Sequence, residues 1–291
     1  MEKSPLKPLI SFNQRYEECY GTYCKLTNNV VVQEEWIKLY FPDKIIKEIK
    51  LEDDKELDVL GIGSGAGKDE INVLKQLLKR WPRVKDTVVE PHLSHINKYK
   101  DLVATEAKSL DGVSFEWRQQ TVQQFIRDTK DQPLKKYHFI MLFHVMYFIE
   151  DLEDVLRNLK GILDDGGIIL GMLECDDSCM AMTIRTFPQL KNSVQAASTK
   201  EIENAFKSNQ LNYVKHRIHI NLDATGCLDD ESNEGELLIE SLTQTAYLKK
   251  NVPKSLYSKI IEYLKSIILP NNSGDGKTLL RGDCDAIIIT K

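Results

Sequence analysis

The segment Val59-Leu60-Gly61-Ile62-Gly63-Ser64-Gly65-Ala66-Gly67 constrains this chain more than any other. An apolar run from Leu57 to Ile62 ends in four alternating glycines. A helical pattern follows from Asp69 to Trp81, with Ile71, Leu74, Leu77, Leu78 and Trp81 on one face and Pro82 as its stop. Glycines at a strand-to-helix turn permit positive φ and let the backbone approach a ligand more closely than any Cβ would allow. The turn therefore predicts a nucleotide-like ligand. It contains no Gly-x4-Gly-Lys-Ser/Thr pattern, so a P-loop is unsupported.

The strand-then-helix rhythm continues beyond the turn. Thr87 to Glu90 reads as a second strand closed by Pro91, and a charged helix runs on to about Lys108. Val113 to Gln119 and Tyr137 to Phe143 read as the third and fourth strands. Asp151 to Leu163 is amphipathic, with Leu152, Val155, Leu156, Leu159 and Ile162 inward, and Asp165-Gly166-Gly167 ends it before a strand from Ile168 to Leu173. Five strands alternating with helices predict a parallel sheet covered on both faces. Residues 13–50 form a helical preface broken at Phe41-Pro42.

The last third changes character. Ser198-Thr199-Lys200-Glu201 reads as a capping-box start to a helix ending near Asn209, and Leu211 to Asn221 alternates like a strand. An acidic loop covers 226–234, helices cover about 235–249 and 254–267, and Asp285 to Thr290 closes the chain as a strand. The expectation is an α/β fold of seven mostly parallel strands with a C-terminal antiparallel strand. It is read as one domain over 1–291, with a cap at 13–50, a cofactor-binding core at 57–173, acceptor-side or lid elements at 176–270 that include the strand 211–221, and a closing strand at 285–290.

Composition narrows the function classes. With 291 residues, 42% hydrophobic and 29% charged, the chain is neither disordered nor fibrous. Lys+Arg 39 against Asp+Glu 44 leaves a formal charge of -5, which offers no general attraction to nucleic acid. The N-terminal stretch lacks the apolar core of a signal peptide, and no window approaches a membrane span. Cys19, Cys24, Cys175, Cys179, Cys227 and Cys284 are read as reduced thiols, and the expected address is cytoplasmic. His92 and His95 flank a helix start without a completing Cys or carboxylate cluster. His216 and His219, three apart in the expected strand, point to opposite faces, so no metal site is expected.

Glu90 stands at the end of the second strand, 27 positions after Gly63, where a carboxylate can accept both ribose hydroxyls of an adenosine. Gly61, Gly63 and Ala66 also satisfy a dinucleotide pattern, so the motif alone leaves nicotinamide cofactors and S-adenosylmethionine both open. The alternating glycines, the helical preface and the strand pair after strand five tilt toward S-adenosylmethionine, and an NAD(P)-dependent dehydrogenase stays as the lesser alternative.

VLGIGSGAG, TVVEP, FIMLFHVMYFIEDLEDVL, LDDGGIILGML and GELLIESLTQT together resemble the histamine N-methyltransferase family, from about Tyr16 to Lys291. The resemblance implies a class I, Rossmann-like, S-adenosylmethionine-dependent methyltransferase acting as a monomer on a small imidazole-type amine, without nucleic-acid or membrane partners. It implies cofactor contacts at Gly63, Glu90, His95, Val122 and Phe143, joined by the turn residues Gly61, Ser64 and Gly65. It implies substrate contacts at Asn29, His144, Tyr147, Phe148 and Gly282, with Asp283 beside the last.

The family's substrate glutamate aligns with Asn29, its glutamine after strand four with His144 and its C-terminal asparagine with Gly282, while Phe148 replaces a tyrosine. A primary ammonium is held better by a carboxylate than by an amide, by roughly 1.5–3 kcal/mol for a charged hydrogen bond. Asn29 therefore weakens that contact unless Asp283 or Asp285 supplies the charge. The changed pocket keeps two alternatives open: a carnosine-type histidine dipeptide as acceptor, whose carboxylate Arg281 would pair, or a non-catalytic cofactor-binding homologue. His144, just after strand four, is the expected proton acceptor or substrate hydrogen-bond partner. Tyr147 is expected beside it, with Phe148, as an aromatic wall for a cation.

Overall fold

The computed structural model describes residues 6–130, 135–190, 198–270 and 276–291. Among the described residues the strands are β1 (Leu57–Ile62), β2 (Val84–Val89), β3 (Val113–Arg118), β4 (Tyr137–Phe143), β5 (Leu163–Glu174), β6 (Asn212–Ile218), β7 (Asn221–Asp223), β8 (Leu279–Arg281) and β9 (Cys284–Thr290). Seven of them form one mostly parallel sheet in the order β3-β2-β1-β4-β5-β9-β6, with the C-terminal strand antiparallel, as the sequence led one to expect. Helices lie on both sides of it. The helices are α1 (Asn13–Leu26), α2 (Asn29–Leu39), α3 (Lys68–Leu77), α4 (Leu93–Thr105), α5 (Val122–Thr129), α6 (Leu152–Ile162), α7 (Cys179–Thr186), α8 (Thr199–Ser208), α9 (Asn233–Thr243), α10 (Leu248–Asn251) and α11 (Lys254–Ser266).

The chain divides into two compact units where the sequence suggested one domain. One unit holds Met1–Val32, Glu174–Glu201 and Arg217–Cys284; the other holds Gln33–Leu173, Ile202–His216 and Asp285–Lys291. Residues 191–197, part of the expected acceptor-side segment, lie outside the described residues.

The unit from Gln33 carries the sheet. β1 pairs in parallel with β2, Leu57 opposite Val84 and Ile62 opposite Val89, and on its other edge with β4, Val59 opposite Phe139. Strand order reverses between those two neighbours, and in open α/β sheets ligands bind at such a switch point, outside the carboxyl ends of the strands. Val59, Leu60, Phe139, Ile140 and Leu142 are fully buried, and α3 adds Val73, Leu74 and Leu77 from its inward face. α5 starts at a complete capping box, in which the Thr121 hydroxyl accepts from Gln124 N–H and the Gln124 side chain accepts from Thr121 N–H.

Several boundaries differ from those read in the sequence, each for a local reason. The second strand begins three residues earlier than Thr87 because Asp86, a residue that disfavours strands, lies inside it with no exposed surface. The fifth strand runs through Asp165-Gly166-Gly167, where Gly166 takes φ +82 and the pairing register with β4 shifts, so the glycines bend a strand instead of ending it. The run expected from Leu211 to Asn221 splits: β6 ends at Ile218, and Asn221 begins a separate strand that pairs antiparallel with β8. His219 therefore sits in the break and not in a strand with His216. α9 stops where Gln244 turns left-handed at φ +51, so no single helix covers 235–249.

The other unit is built on α1 and α9. Leu9, Cys19, Leu237 and Ala246 form one small core, while Leu238, Ile239, Leu242, Ile260, Leu264 and Leu280 belong to a larger one. Between the helices Arg15 reaches the fully buried Glu240 with two bonds of 2.8 Å, from Nε to Oε2 and from Nη2 to Oε1. Removing one partner of such a pair strands a buried charge and typically costs about 3–5 kcal/mol. Arg15→Ala is expected to lower the urea midpoint by that order, whereas Arg15→Met paired with Glu240→Leu should recover most of it. Equal midpoints for the single and double variants would refute the assignment.

Two carboxyls lie beneath the glycine turn. Burial pushes Asp86 up to about 8 despite the nearby Lys135 ammonium, and neither of its oxygens has a hydrogen-bond partner. Burial, then the charge of Asp86, drives Glu70 well above the usual carboxylate range, against the pull of the Ser64 and Tyr99 hydroxyls. A folded-state pKa above the unfolded one means that the native state holds the extra proton, so stability falls as pH rises between the two values. Wild-type stability should decline from about pH 4 to about pH 8 by up to about 1.4 kcal/mol per unit. Asp86→Asn should flatten that decline in urea titrations across the same range, and an unchanged slope would count against it.

Candidate active site

The carboxyl ends of β1, β2 and β4 converge on one place. Past β1 the chain turns through Gly63 at φ +64, Gly65 at φ +54 and Gly67 at φ +75 before α3 begins. Close packing is the reason for two of these glycines. A Cβ on Gly63 would lie 2.3 Å from Val145 Cγ2, and one on Gly67 would lie 2.1 Å from the Tyr99 ring. Gly65 differs, since a Cβ there would meet nothing within 4 Å, so its backbone faces open space. A ligand has room to approach at Gly65.

Glu90 follows β2 directly and is almost wholly buried. One carboxylate oxygen accepts from Gly65 N–H at 2.9 Å, the other from His92 N–H at 2.9 Å, and His95 Nδ1 stands 3.5 Å from the second. Burial pushes its pKa up, but the His95 contact and the two backbone donors outweigh that and hold the carboxyl below its usual range. An ionised acceptor thus sits beside the open glycine. His95 itself is on the first turn of α4, with its ring 5.4 Å from that of His92. Val122 opens α5 and Phe143 ends β4; both are buried.

The segment after β4 carries the chemistry-bearing side chains. His144 adopts φ +50, an uncommon region for a residue with a side chain, and its N–H donates to Met172 O at 2.9 Å. Tyr147 and Phe148 follow in a short helical turn, edge to face with ring centroids 4.5 Å apart. Because Val145 packs on Gly63, this segment lies against the glycine turn. Gly63, Gly65, Glu90, His95, Phe143, His144, Tyr147 and Phe148 all belong to the one unit.

Two residues not singled out in the sequence join His144. Gln33 on α2 is 2% exposed, and its Nε2 lies 3.0 Å from His144 Nε2. Asp69, in the first turn of α3, is raised above its usual range chiefly by burial and next opposed by the charge of His144. Lys68 lowers it further and Glu34 raises it. Gln33 had no clear signal in the sequence: Asn29, Gln33, Trp36 and Ile37 share the buried face of α2, while the apolar Val31, Leu39 and Tyr40 are exposed, so hydrophobic spacing points away from the two amides. Asp69 was hidden because an acidic residue in a first helical turn is ordinarily read as a dipole partner.

The remaining substrate-side candidates lie in the other unit. Asn29 is buried, and its Oδ1 accepts from the Thr27 hydroxyl at 2.9 Å. Its neighbour Asn28 is tied to β7 through Asn221 N–H, which donates to Asn28 Oδ1 at 2.8 Å. Gly282 N–H donates to Ile220 O at 2.8 Å, and Asp283 Oδ1 accepts from Ile220 N–H at 2.9 Å while Oδ2 lies 3.1 Å from His219 Nδ1. The Asp283 carboxylate thus fastens the break between β6 and β7. Arg281 is paired with Asp177.

A family model described as a methyltransferase domain matches residues 34–216. The chain is 30% identical to histamine N-methyltransferase B of Xenopus laevis over 98% of each sequence, and 28% identical to histamine N-methyltransferase A of the same species over 98% of each. Histamine N-methyltransferase of Danio rerio is 26% identical, over 98% of this chain and 99% of that one. Among solved structures, the YcgJ protein of Bacillus subtilis superposes with a TM-score of 0.52 at 17% identity, covering 85% of this chain and 96% of that one, a likeness of fold alone.

The two open-turn glycines should respond differently to alanine. Gly65→Ala only has to hold a left-handed backbone, at about 1–2 kcal/mol, whereas Gly63→Ala adds a clash with Val145 that must push the two turns apart. In urea unfolding without ligand, Gly63→Ala is expected to lose more stability than Gly65→Ala by about 1 kcal/mol or more, the cost of overpacking against Val145. The reverse ranking would refute the packing argument.

Proposed function

Since the chain belongs to the histamine N-methyltransferase family, we propose that it transfers a methyl group from S-adenosylmethionine to a nitrogen of a small imidazole-type amine. The observation that carries this reading is the ionised Glu90 beside the open backbone of Gly65, at the switch point of the sheet, in a turn that packs through Gly63 on Val145, the residue after His144. The donor set fits an adenosine: a carboxylate for ribose hydroxyls, a glycine backbone with room above it, and buried Val122 and Phe143 for a flat ring. Family membership sets the nicotinamide alternative aside.

The bound cosubstrate supplies an electrophilic methyl carbon on a sulfonium with a good leaving group. Within this reading the protein positions and deprotonates. Gly61, Gly63, Ser64 and Gly65 form the turn that receives the donor, and Glu90 and His95 orient its sugar. With the donor bound, these residues would hold the acceptor nitrogen in line with the methyl carbon, so that the positive charge lost from sulfur would pass to the acceptor. The methylated acceptor then sheds an N–H proton, which the imidazole of His144 takes. Tyr147 and Phe148 present ring edges and faces that favour a cationic neighbour. In-line positioning of a neutral nucleophile does most of the work. An imidazole nitrogen, with an ordinary pKa near 6.5, is largely neutral at pH 7 where an aliphatic amine is not.

A second acceptor class is favoured by one observation. Asn29 offers an amide where the resemblance places a carboxylate, and Asp283 and Arg281 are already engaged, with Ile220 and with Asp177. An amide in that place suits an imidazole whose amine is acylated and uncharged; the carnosine-type alternative loses its expected partner, because Arg281 is already paired with Asp177. The same reading takes the enzyme as a cytoplasmic monomer with neither nucleic-acid nor membrane partners. Among the described residues no helix is long and apolar enough to cross a membrane.

Labelled methyl transfer to histamine, histidine, carnosine and a set of aryl and indole amines tests the proposal. Turnover of an imidazole acceptor is expected, with Glu90→Ala lowering kcat/KM by at least about a hundredfold, or 2.7 kcal/mol for one lost charged contact. Binding of S-adenosylhomocysteine with no methyl transfer to any acceptor would support the silent-binder alternative instead.

A further inference from the structure

We propose that Gln33 is a positioning residue for His144: its carboxamide holds the imidazole at Nε2 and fixes the orientation of the ring. The inference rests on the reading of His144 as the proton acceptor. Two fixed points define that ring. Its backbone is pinned in the left-handed region, with N–H donating to Met172 O at 2.9 Å, and its Nε2 lies 3.0 Å from the buried amide nitrogen of Gln33. An amide nitrogen only donates, so Nε2 accepts and the single ring proton of the neutral form resides on Nδ1.

The choice of a carboxamide has chemical content. A carboxylate in the same place would favour imidazolium, and a protonated ring cannot accept a proton from the acceptor. An amide can satisfy either state by rotating, since its nitrogen donates to a bare Nε2 and its oxygen accepts from Nε2–H. Gln33 thus holds the ring in place without fixing its charge. Among the described residues, Asp69 of α3 interacts electrostatically with the imidazole, and Asp69 in turn is acted on by Lys68 and Glu34. Tyr147 follows in the same segment as His144.

The test compares Gln33→Glu and Gln33→Met in the full chain, with two readouts: the 15N chemical shifts of the His144 ring across pH with S-adenosylhomocysteine bound, and the pH profile of kcat/KM. Gln33→Glu is expected to move the imidazole titration upward by about one unit or more, as an added carboxylate within hydrogen-bond reach does. A base must be neutral, so the low-pH limb of activity should move to higher pH by the same amount. Gln33→Met, which fills the space without a hydrogen bond, is expected to scramble the tautomer ratio and lower kcat about tenfold or more, with the KM for S-adenosylmethionine unchanged. Ring shifts in both variants that match the wild type would overturn the proposal. A moved ring titration with an unmoved activity profile would uphold the Gln33 contact and bring down the reading of His144 as base.

Discussion

The site depends on a contact that only glycine permits. Gly63 and Val145 come together because residue 63 has no Cβ, and this brings the turn after β1 against the turn after β4. Strand order reverses between those two strands, so their ends diverge and leave a crevice. Glu90, after β2, accepts from Gly65 N–H, and His144 stands beside Val145, so the carboxylate and the imidazole come to the same carboxyl end of the sheet. A single missing methyl group sets how near the two chemistries lie.

Electrostatics beneath and above that turn run in opposite directions. Above it, Glu90 is kept ionised by three donors. Below it, Glu70 and Asp86 are stripped of water and driven toward the neutral acid, and Glu70 presses on Gly61 from the start of α3. Two more ionised carboxylates under the turn would repel Glu90 and any anionic group near it. Held neutral, they fill space and hold a proton without setting a field. Burying them as neutral acids leaves the ionised Glu90 without carboxylate repulsion from beneath the turn.

Much of this was readable in the sequence, because the features that made it readable are periodic or steric. The glycine turn, the alternation of strands and helices and the position of Glu90 each follow from spacing. The departures arose where a residue violated its ordinary setting. Asp86 concealed the first half of β2 because a carboxyl was placed in a buried strand, and Gly166-Gly167 suggested a stop where the strand bends and goes on. The strand at Leu211 hid a change of partner at His219–Ile220, since pairing between distant segments has no local signature. Gln33 escaped notice because an amide on an amphipathic helix is usually on the wet face, and only the long-range approach of His144 gives it meaning.

The arrangement around His144 has a consistent logic of charge. Methyl transfer from a sulfonium conserves charge, moving it from sulfur to the acceptor nitrogen, and in the proposed reading the later proton loss would deliver it to the imidazole of His144. A group is then needed that welcomes an imidazolium only once it forms. Asp69 is raised above its usual range chiefly by burial, and the charge of His144 opposes that rise. Gln33 meanwhile holds the ring in either state.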